Sequence, residues 1–319
     1  MDYMVTIITP CYNGEAFLPD YFKAILDQKY TNIELILVND GSDDNTDQIV
    51  EEYMNSLLEK GIRFIYLKKS NGGAASAINL GLRYVSGKYL SWIDVDDRIH
   101  PDYVNFKAAY LEKNEAVDIL ITNSNYVYFE NGQVLKRAWS SGPKDKNDLI
   151  TRLLLCSNFG FEPGNFMVRT NSFVGLLPSS GIFEGEKKMV GQNIQLLLPI
   201  IYSGNYAFED IVLYNYYIHD KNHHTKFNSI QIMLVHIEWI ERVFQETINS
   251  MNCPDSHEMI TTVKIGCEKQ RLTVAAKYGD ASLGRKSFDF LKKNGEVDKK
   301  DAIKFIISQS RILSNLYRK

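Results

Sequence analysis

Residues 89–97 read YLSWIDVDD. The apolar run Tyr89–Ile93 is short, carries no turn residue and stops at Asp94-Val95-Asp96-Asp97. Three carboxylates within four residues repel one another unless a cation or a network of donors compensates. At the end of an apolar strand they mean more than in a surface turn, because open α/β sheets bind ligands outside the carboxyl ends of their strands. The reading therefore depends on whether this strand belongs to a parallel sheet.

The residues upstream say that it does. Val5–Thr9, Ile33–Val38 and Ile62–Leu67 are β-branched or apolar runs, and helical stretches at Glu15–Gln28, Asn45–Lys60 and from Asn71-Gly72-Gly73 to about Val85 separate them. Strands alternating with helices of this length predict parallel βαβ units. All four strands end in small or polar groups: Thr9-Pro10, Asn39-Asp40, Lys68-Lys69 and Asp94-Val95-Asp96. Downstream, a helix to about Asn114 precedes a strand at Asp118–Thr122, and Asn125–Phe129 with Gln133–Trp139 reads as a hairpin closed by Asn131-Gly132. A helix is expected at Asp148–Ser157, loops at Phe161–Phe166 and Ser179–Gly191, a helix at Gln192–Tyr202 broken near Pro199, and an aromatic strand at Ala207–Tyr217. Beyond about Thr225 the pattern is helical, with Ile232, Val235, Trp239 and Val243 on one face and Ile303, Ile306, Leu313 and Leu316 on another.

At 319 residues, 45% hydrophobic and 24% charged, the chain can bury a full core, and neither a disordered nor a fibrous protein fits. The longest apolar run, Leu196–Tyr202, contains Pro199 and falls far short of the roughly 20 residues a spanning helix needs. The N-terminus has no basic segment or cleavage signature, so a cytoplasmic chain is expected. Cys11, Cys156, Cys253 and Cys267 lack CxxC spacing and suggest neither a zinc site nor a disulfide framework. The net charge of −3 hides an asymmetry: residues 261–319 hold 14 Lys/Arg against 6 Asp/Glu, a balance of +8, which leaves −11 for the rest.

Each strand end offers its own chemistry. Hard oxygen donors at Asp94, Asp96 and Asp97 suit Mg2+ or Mn2+, which keep positions for phosphate oxygens. Asp40 could accept from a base N–H or a ribose hydroxyl, or simply cap a turn. Tyr12 could stack on a base or pack as a half-buried aromatic. Asn71-Gly72-Gly73 is a candidate phosphate turn or a place of close backbone approach. The GxGxxG and GxxxxGK[ST] spacings are both missing, which disfavours a Gly-rich dinucleotide fold and a P-loop NTPase.

Taken together, Thr9-Pro10-Cys11-Tyr12-Asn13, Val38-Asn39-Asp40-Gly41-Ser42, Asn71-Gly72-Gly73 with Asn79, and Asp94-Val95-Asp96-Asp97 resemble the family 2 glycosyltransferases with the GT-A fold. The resemblance runs from residue 4 to about 105 and more loosely to about 220. It implies a GT-A, Rossmann-like α/β domain over 1–220, its mostly parallel sheet flanked by helices, with a nucleotide-binding half (1–105) and an acceptor half (106–220), then a helical region over 221–319. It implies transfer of a sugar from a nucleotide-diphosphate donor, a UDP-sugar foremost, to a glycan or lipid-linked acceptor, metal-dependent and inverting. A bacterial polysaccharide, capsule or cell-wall product fits that family. By resemblance Thr9, Tyr12 and Asp40 would hold the base, with Pro10, Asn71, Gly72 and Val95 at the nucleotide. Asp94 would meet the ribose or the metal, and Asp96, with Asp97, would hold Mn2+ or Mg2+ on the diphosphate. His219, closing the Tyr-rich run Tyr214-Asn215-Tyr216-Tyr217-Ile218, would reach the metal or diphosphate; a surface histidine beside His223 and His224 is the alternative.

One departure stands out. Members of the family commonly place Glu-Asp at the start of a helix below the acceptor cleft, the Asp acting as general base. The matching segment here is Gln192-Asn193, and an amide has no useful basicity. Glu184 and Glu186, just upstream, are the nearest substitutes, with Asn193 left to position the acceptor. A sugar-nucleotide-binding protein without turnover is therefore an alternative. A nucleotidyltransferase is another, although Tyr12-Asn13-Gly14-Glu15 lacks the basic Gly-rich loop it would want. At the basic end, Arg285-Lys286, Lys292-Lys293 and Lys299-Lys300 flank Phe288, Phe290, Phe305 and Ile306, a combination suited to peripheral contact with the inner face of the cell membrane or to plain solvated helices. No motif points to nucleic acid.

Overall fold

The computed structural model describes residues 3–155, 162–184, 191–219 and 229–318. They fall into two units, Met1–Leu149 with Phe159–His219, and Ile150–Asn158 with Asp220–Lys319. Cys156, Glu186, His223 and His224 lie outside the described residues.

The first unit opens with β1 (Val5–Cys11), α1 (Leu18–Leu26), β2 (Ile33–Asn39), α2 (Thr46–Glu59), β3 (Arg63–Lys68), α3 (Ala74–Leu82) and β4 (Tyr89–Trp92). The strands lie in the order β3-β2-β1-β4, all parallel. Every residue of β2 is buried, as a strand covered on both faces requires, which is why it reads as an apolar run without alternation. α1 buries Leu18, Tyr21, Phe22 and Ile25, the stripe of an amphipathic helix, each large side chain contributing about 1.5–3 kcal/mol. It starts three residues later than the sequence suggests because Asn13 turns left-handed (φ 52°) and the amides of Asn13, Gly14 and Glu15 are committed to Ser42, Thr46 and Asp44. α3 lies against β1, and Gly81 permits it: a Cβ there would come within 2.9 Å of Ile8.

The same sheet then changes direction. β5 (Arg98–Ile99), α4 (Tyr103–Lys113), β6 (Ile119–Tyr128), β7 (Val134–Arg137), α5 (Lys146–Leu154), β8 (Phe166–Arg169), α6 (Thr170–Val174), α7 (Gln192–Ser203) and β9 (Tyr206–Ile218) follow. The sheet continues β4-β8-β6-β9-β5, with β7 paired to β6. β8 is antiparallel to both β4 and β6, β6 and β9 are parallel, and β5 is antiparallel to β9, so the whole is mixed.

Three local expectations change here. Residues 119–128 form one ten-residue strand, not two pieces, because β9 pairs along its full length. β8 begins at Phe166, where a loop was expected to end; four residues after a Pro-Gly pair carry too little pattern to announce a strand. α7 runs unbroken through Pro199. A proline inside a helix costs about 3 kcal/mol, but Leu196–Ile201 are all buried, which offsets it.

The second unit is helical, with α8 (Ile230–Met251), α9 (Ser256–Tyr278), α10 (Ala281–Lys293), α11 (Lys299–Ser308) and α12 (Arg311–Arg318). Ser229, Asp280 and Asp298 accept from the first-turn amides of α8, α10 and α11, and Asp298 forms a capping box with Asp301. Its core holds Ile265, Leu272 and Leu291, with Leu155, Phe288, Phe290 and Phe305 packed on it. The phenylalanines read as an outward face are therefore inward, Phe288 stacking on Phe305 at 4.3 Å. Of the α8 stripe, Trp239 and Val243 are buried while Ile232 and Val235 stay exposed. Among the described residues no helix is long and apolar enough to cross a membrane.

Candidate active site

β1 has β2 on one side and β4 on the other, so the chain order reverses at its carboxyl end and opens a crevice there. Three loops meet at that edge. Pro10 pairs with Val38 and Cys11 with Asn39, and the amide of Asp40 donates to the carbonyl of Cys11 at 2.8 Å. On the other side the amide of Ile93 donates to Ile8 at 3.0 Å, which sets Asp94 level with the end of β1.

Asp40 is buried and fully engaged. Its Oδ1 accepts from the Gly72 amide (2.9 Å) and Lys69 Nζ (2.8 Å), and its Oδ2 from the Gly73 amide (2.7 Å). Asn71-Gly72-Gly73 is thus the place of close approach: those amides, at the start of α3, meet a carboxylate of the chain itself. Gly41, at φ 78°, allows this, since a Cβ there would lie 2.7 Å from the Asn71 amide. Thr9 is fully buried with its hydroxyl on Tyr21, Pro10 is half-buried, and Tyr12 is 53% exposed at the rim. Burial pushes the Cys11 thiol up to about 12, Asp44 adding to it, so Cys11 is no nucleophile at neutral pH.

The acidic turn lies beside them. Asp94, Asp96 and Asp97 each bring an oxygen within 4.8 Å of the others. Burial, with Asp96 adding to it, raises Asp94 to about 7. Asp97 is fully buried; burial and its two acidic neighbours push it well above the usual carboxylate range. The Tyr214 hydroxyl bonds its Oδ2 and the Tyr217 amide donates to its Oδ1 at 2.8 Å. Arg98 holds the turn from beneath, donating to the carbonyls of Asp97 (2.8 Å) and Val95 (3.2 Å). His219 is 7% exposed, packs between Phe17 and Phe129, and meets Asp96 Oδ2 at 2.9 Å through Nε2. It is a buried partner of the acidic turn, not a surface histidine. The donor set fits a hard divalent cation: clustered carboxylate oxygens, and an imidazole at their edge.

A third group belongs to the same unit. Asn193 opens α7, and its Oδ1 accepts from the Trp92 indole at 3.0 Å, two residues before Asp94. Glu184 is exposed, and Asn79 of α3 donates to its Oε1 at 2.9 Å while also bonding both polar groups of Ile182. Gln195 pins the intervening Phe183 through both backbone groups.

Sequence reading missed four residues of this arrangement. Arg98 follows the acidic turn directly, and a charge-balancing argument could have found it. Lys69 was visible only as a polar strand end. Asn79 was noted only within a motif block, with no partner to suggest a task. Glu162 carried no signal: it is buried, bonded by the Tyr126 hydroxyl and by Asn165 at 2.9 Å, and raised by burial to about 7.

The model of the family described as Glycosyl transferase family 2 matches residues 6–176, more than half of the chain. The chain belongs to glycosyltransferase family 2. The uncharacterized glycosyltransferase RP339 of Rickettsia prowazekii is 38% identical over 118 residues, 37% of this chain and 35% of its own. The glycosyltransferase GlyA of Streptococcus pneumoniae serotype 4 is 35% identical over 133 residues, 42% of this chain and 18% of its own. The likeness to these family members thus spans about a third or less of their length. Among solved structures, S. aureus TarS 1-349 in complex with UDP-GlcNAc aligns with a TM-score of 0.57 at 17% identity, over 99% of this chain and 91% of that one. The mannosyltransferase PcManGT from Pyrobaculum calidifontis, in complex with GDP-Man and Mn2+, gives 0.56 at 14% identity over 100% and 87%. The fold is GT-A, with a sheet more mixed than the family resemblance suggested.

Proposed function

We propose that this chain transfers a sugar from a nucleotide-diphosphate donor, a UDP-sugar, to a hydroxyl of a glycan or lipid-linked acceptor, with inversion and with Mn2+ or Mg2+ at Asp94 and Asp96. The observation that carries the proposal is the three-carboxylate cluster beyond β4, next to the crevice at the end of β1. The nucleotide sugars bound to TarS and PcManGT support the donor class, and the Mn2+ in the latter supports the metal. Residues 1–220 are assigned the chemistry, the nucleotide to 1–105 and the acceptor to 106–220.

Bound at that cluster, the cation would neutralise charge on the leaving diphosphate. The chain's own residues do the remainder. Tyr12 stacks on the base, a role its exposure at the rim supports, and Asp40 keeps the neighbouring Gly72 turn in shape. His219 fixes the Asp96 carboxylate through one hydrogen bond while two phenylalanines hold its ring. Asp97 and Arg98 hold the turn that carries both ligands. Glu184, tethered by Asn79, takes the acceptor's proton, and Asn193, an amide fixed by Trp92, orients the acceptor.

Calorimetry with UDP tests this directly. Mn2+ should tighten UDP binding, and Asp96→Ala should remove that gain, a loss of about tenfold or more. Equal affinity with and without the substitution removes the metal assignment. A screen of UDP-sugars for metal-dependent hydrolysis then identifies the donor; binding without turnover on any donor or acceptor would favour the non-catalytic alternative.

A further inference from the structure

In α12 successive residues step by about 100°, so Ile312, Leu313, Leu316 and Tyr317 share an arc of about 140°. They are 76%, 39%, 65% and 44% exposed. The other side of the helix is the one that rests on the unit: Ser314 is buried beside Gly279, and the Arg318 guanidinium lies over Tyr278 at 4.8 Å. An amphipathic helix ordinarily packs the other way round. α11 repeats the inversion. It buries Asp301 and Ser308, with Asp301 in the capping box and 3.2 Å from Lys269, and leaves Ile303 and Ile306 at 57% and 60% exposure. Lys299 and Lys300 are exposed on that outward side.

We propose that the outward faces of α11 and α12 form a docking surface for an anionic lipid bilayer. Residues 281–319 hold ten Lys/Arg against four Asp/Glu, a balance of +6, so the apolar knobs stand in a positive field. Two copies of this face would bring like charges together. Protein hot spots draw on Trp, Tyr and Arg, whereas mainly aliphatic side chains beside exposed lysines such as Lys299 and Lys300 suit the boundary of headgroups and acyl chains. Helices of eight and ten residues are far shorter than the roughly 20 that span a membrane, so they lie on its surface.

The test is sedimentation of the full chain with vesicles. Binding is expected to vesicles of mixed phosphatidylglycerol and phosphatidylcholine, to weaken as salt is raised, and to be lost on phosphatidylcholine alone. Ile312→Ser with Leu316→Ser should weaken it about tenfold or more, and Lys299→Gln with Lys300→Gln about fivefold or more. Absence of binding, or equal binding to both vesicle types, overturns the proposal. So does a concentration-dependent dimer that the serine pair dissolves while vesicles capture nothing, because a second copy then covers the face. Should the serine pair fail to fold, the glutamine pair, confined to exposed side chains, decides: unchanged affinity for the anionic vesicles overturns the proposal.

Discussion

Adjacent carboxylates in the acidic turn have different duties. Asp96 faces His219 and keeps 24% of its side chain exposed, whereas Asp97 is buried with both oxygens on β9. Asp97→Asn should therefore keep the brace, its amide oxygen taking the Tyr217 N–H and its amide nitrogen facing the Tyr214 hydroxyl. Asp97→Ala should lose about 1–3 kcal/mol, read as a melting temperature several degrees lower. If Asp97→Asn abolishes Mn2+-dependent UDP binding as fully as Asp96→Ala, Asp97 is a ligand and not a brace. Glu184→Gln should cut turnover by about 100-fold or more while donor affinity survives, because an amide still meets Asn79 but cannot take a proton. Steady-state rates beside calorimetry check this, and full turnover in the variant would put the base elsewhere.

At the scale of elements, β9 links fold and site. Tyr214 and Tyr216 alternate onto one face, the first reaching Asp97 and the second packing at 5.4 Å on Tyr126, which bonds Glu162. Gly164 lies against the buried Tyr214 ring so closely that a Cβ would run into it. Gly164→Ala should destabilise the protein by about 1–3 kcal/mol. It should also weaken Mn2+-dependent UDP binding, although residue 164 brings no ligand group, because Tyr214 cannot move without releasing Asp97. Thermal unfolding and calorimetry on one sample test the pair; a stability loss with unchanged affinity would uncouple β9 from the turn.

For the molecule as a whole, stability should carry a signature of Glu162. Burial holds its carboxyl at about 7 against an ordinary 4.5. As pH rises through that interval the unfolded chain gives up the proton first, so stability falls, and above about 7 the loss is complete. The full span corresponds to about 3 kcal/mol. Urea midpoints at pH 5 and pH 8 should show a decline to which the raised Asp94 and Asp97 also contribute, and Glu162→Gln should remove its own share of it; an identical slope in the variant would assign the pH dependence to the acidic turn. Charge shows a second whole-molecule feature, since the small net value conceals a basic C-terminal stretch that α10, α11 and α12 carry.

What could be read from the residues alone was local. The alternation of strands and helices through β4, the polar ends of those strands, the acidic turn, and the amide pair Gln192-Asn193 each sit within a few neighbouring residues, and the elements followed with their boundaries displaced by a few residues. Tertiary contacts decided the rest. Asp97 meets Tyr214 across 117 positions and Trp92 meets Asn193 across 101, and no local period encodes such a pairing. The same holds for β8, too short to recognise until β4 and β6 flank it, and for Asp40, whose oxygens go to Gly72 and Gly73. The stripes at Ile303, Ile306, Leu313 and Leu316 were legible as helix faces, but a stripe does not say which way it points. Its direction is set by what the opposite side of each helix can bury, here Ser314 beside Gly279 and Asp301 within reach of Lys269.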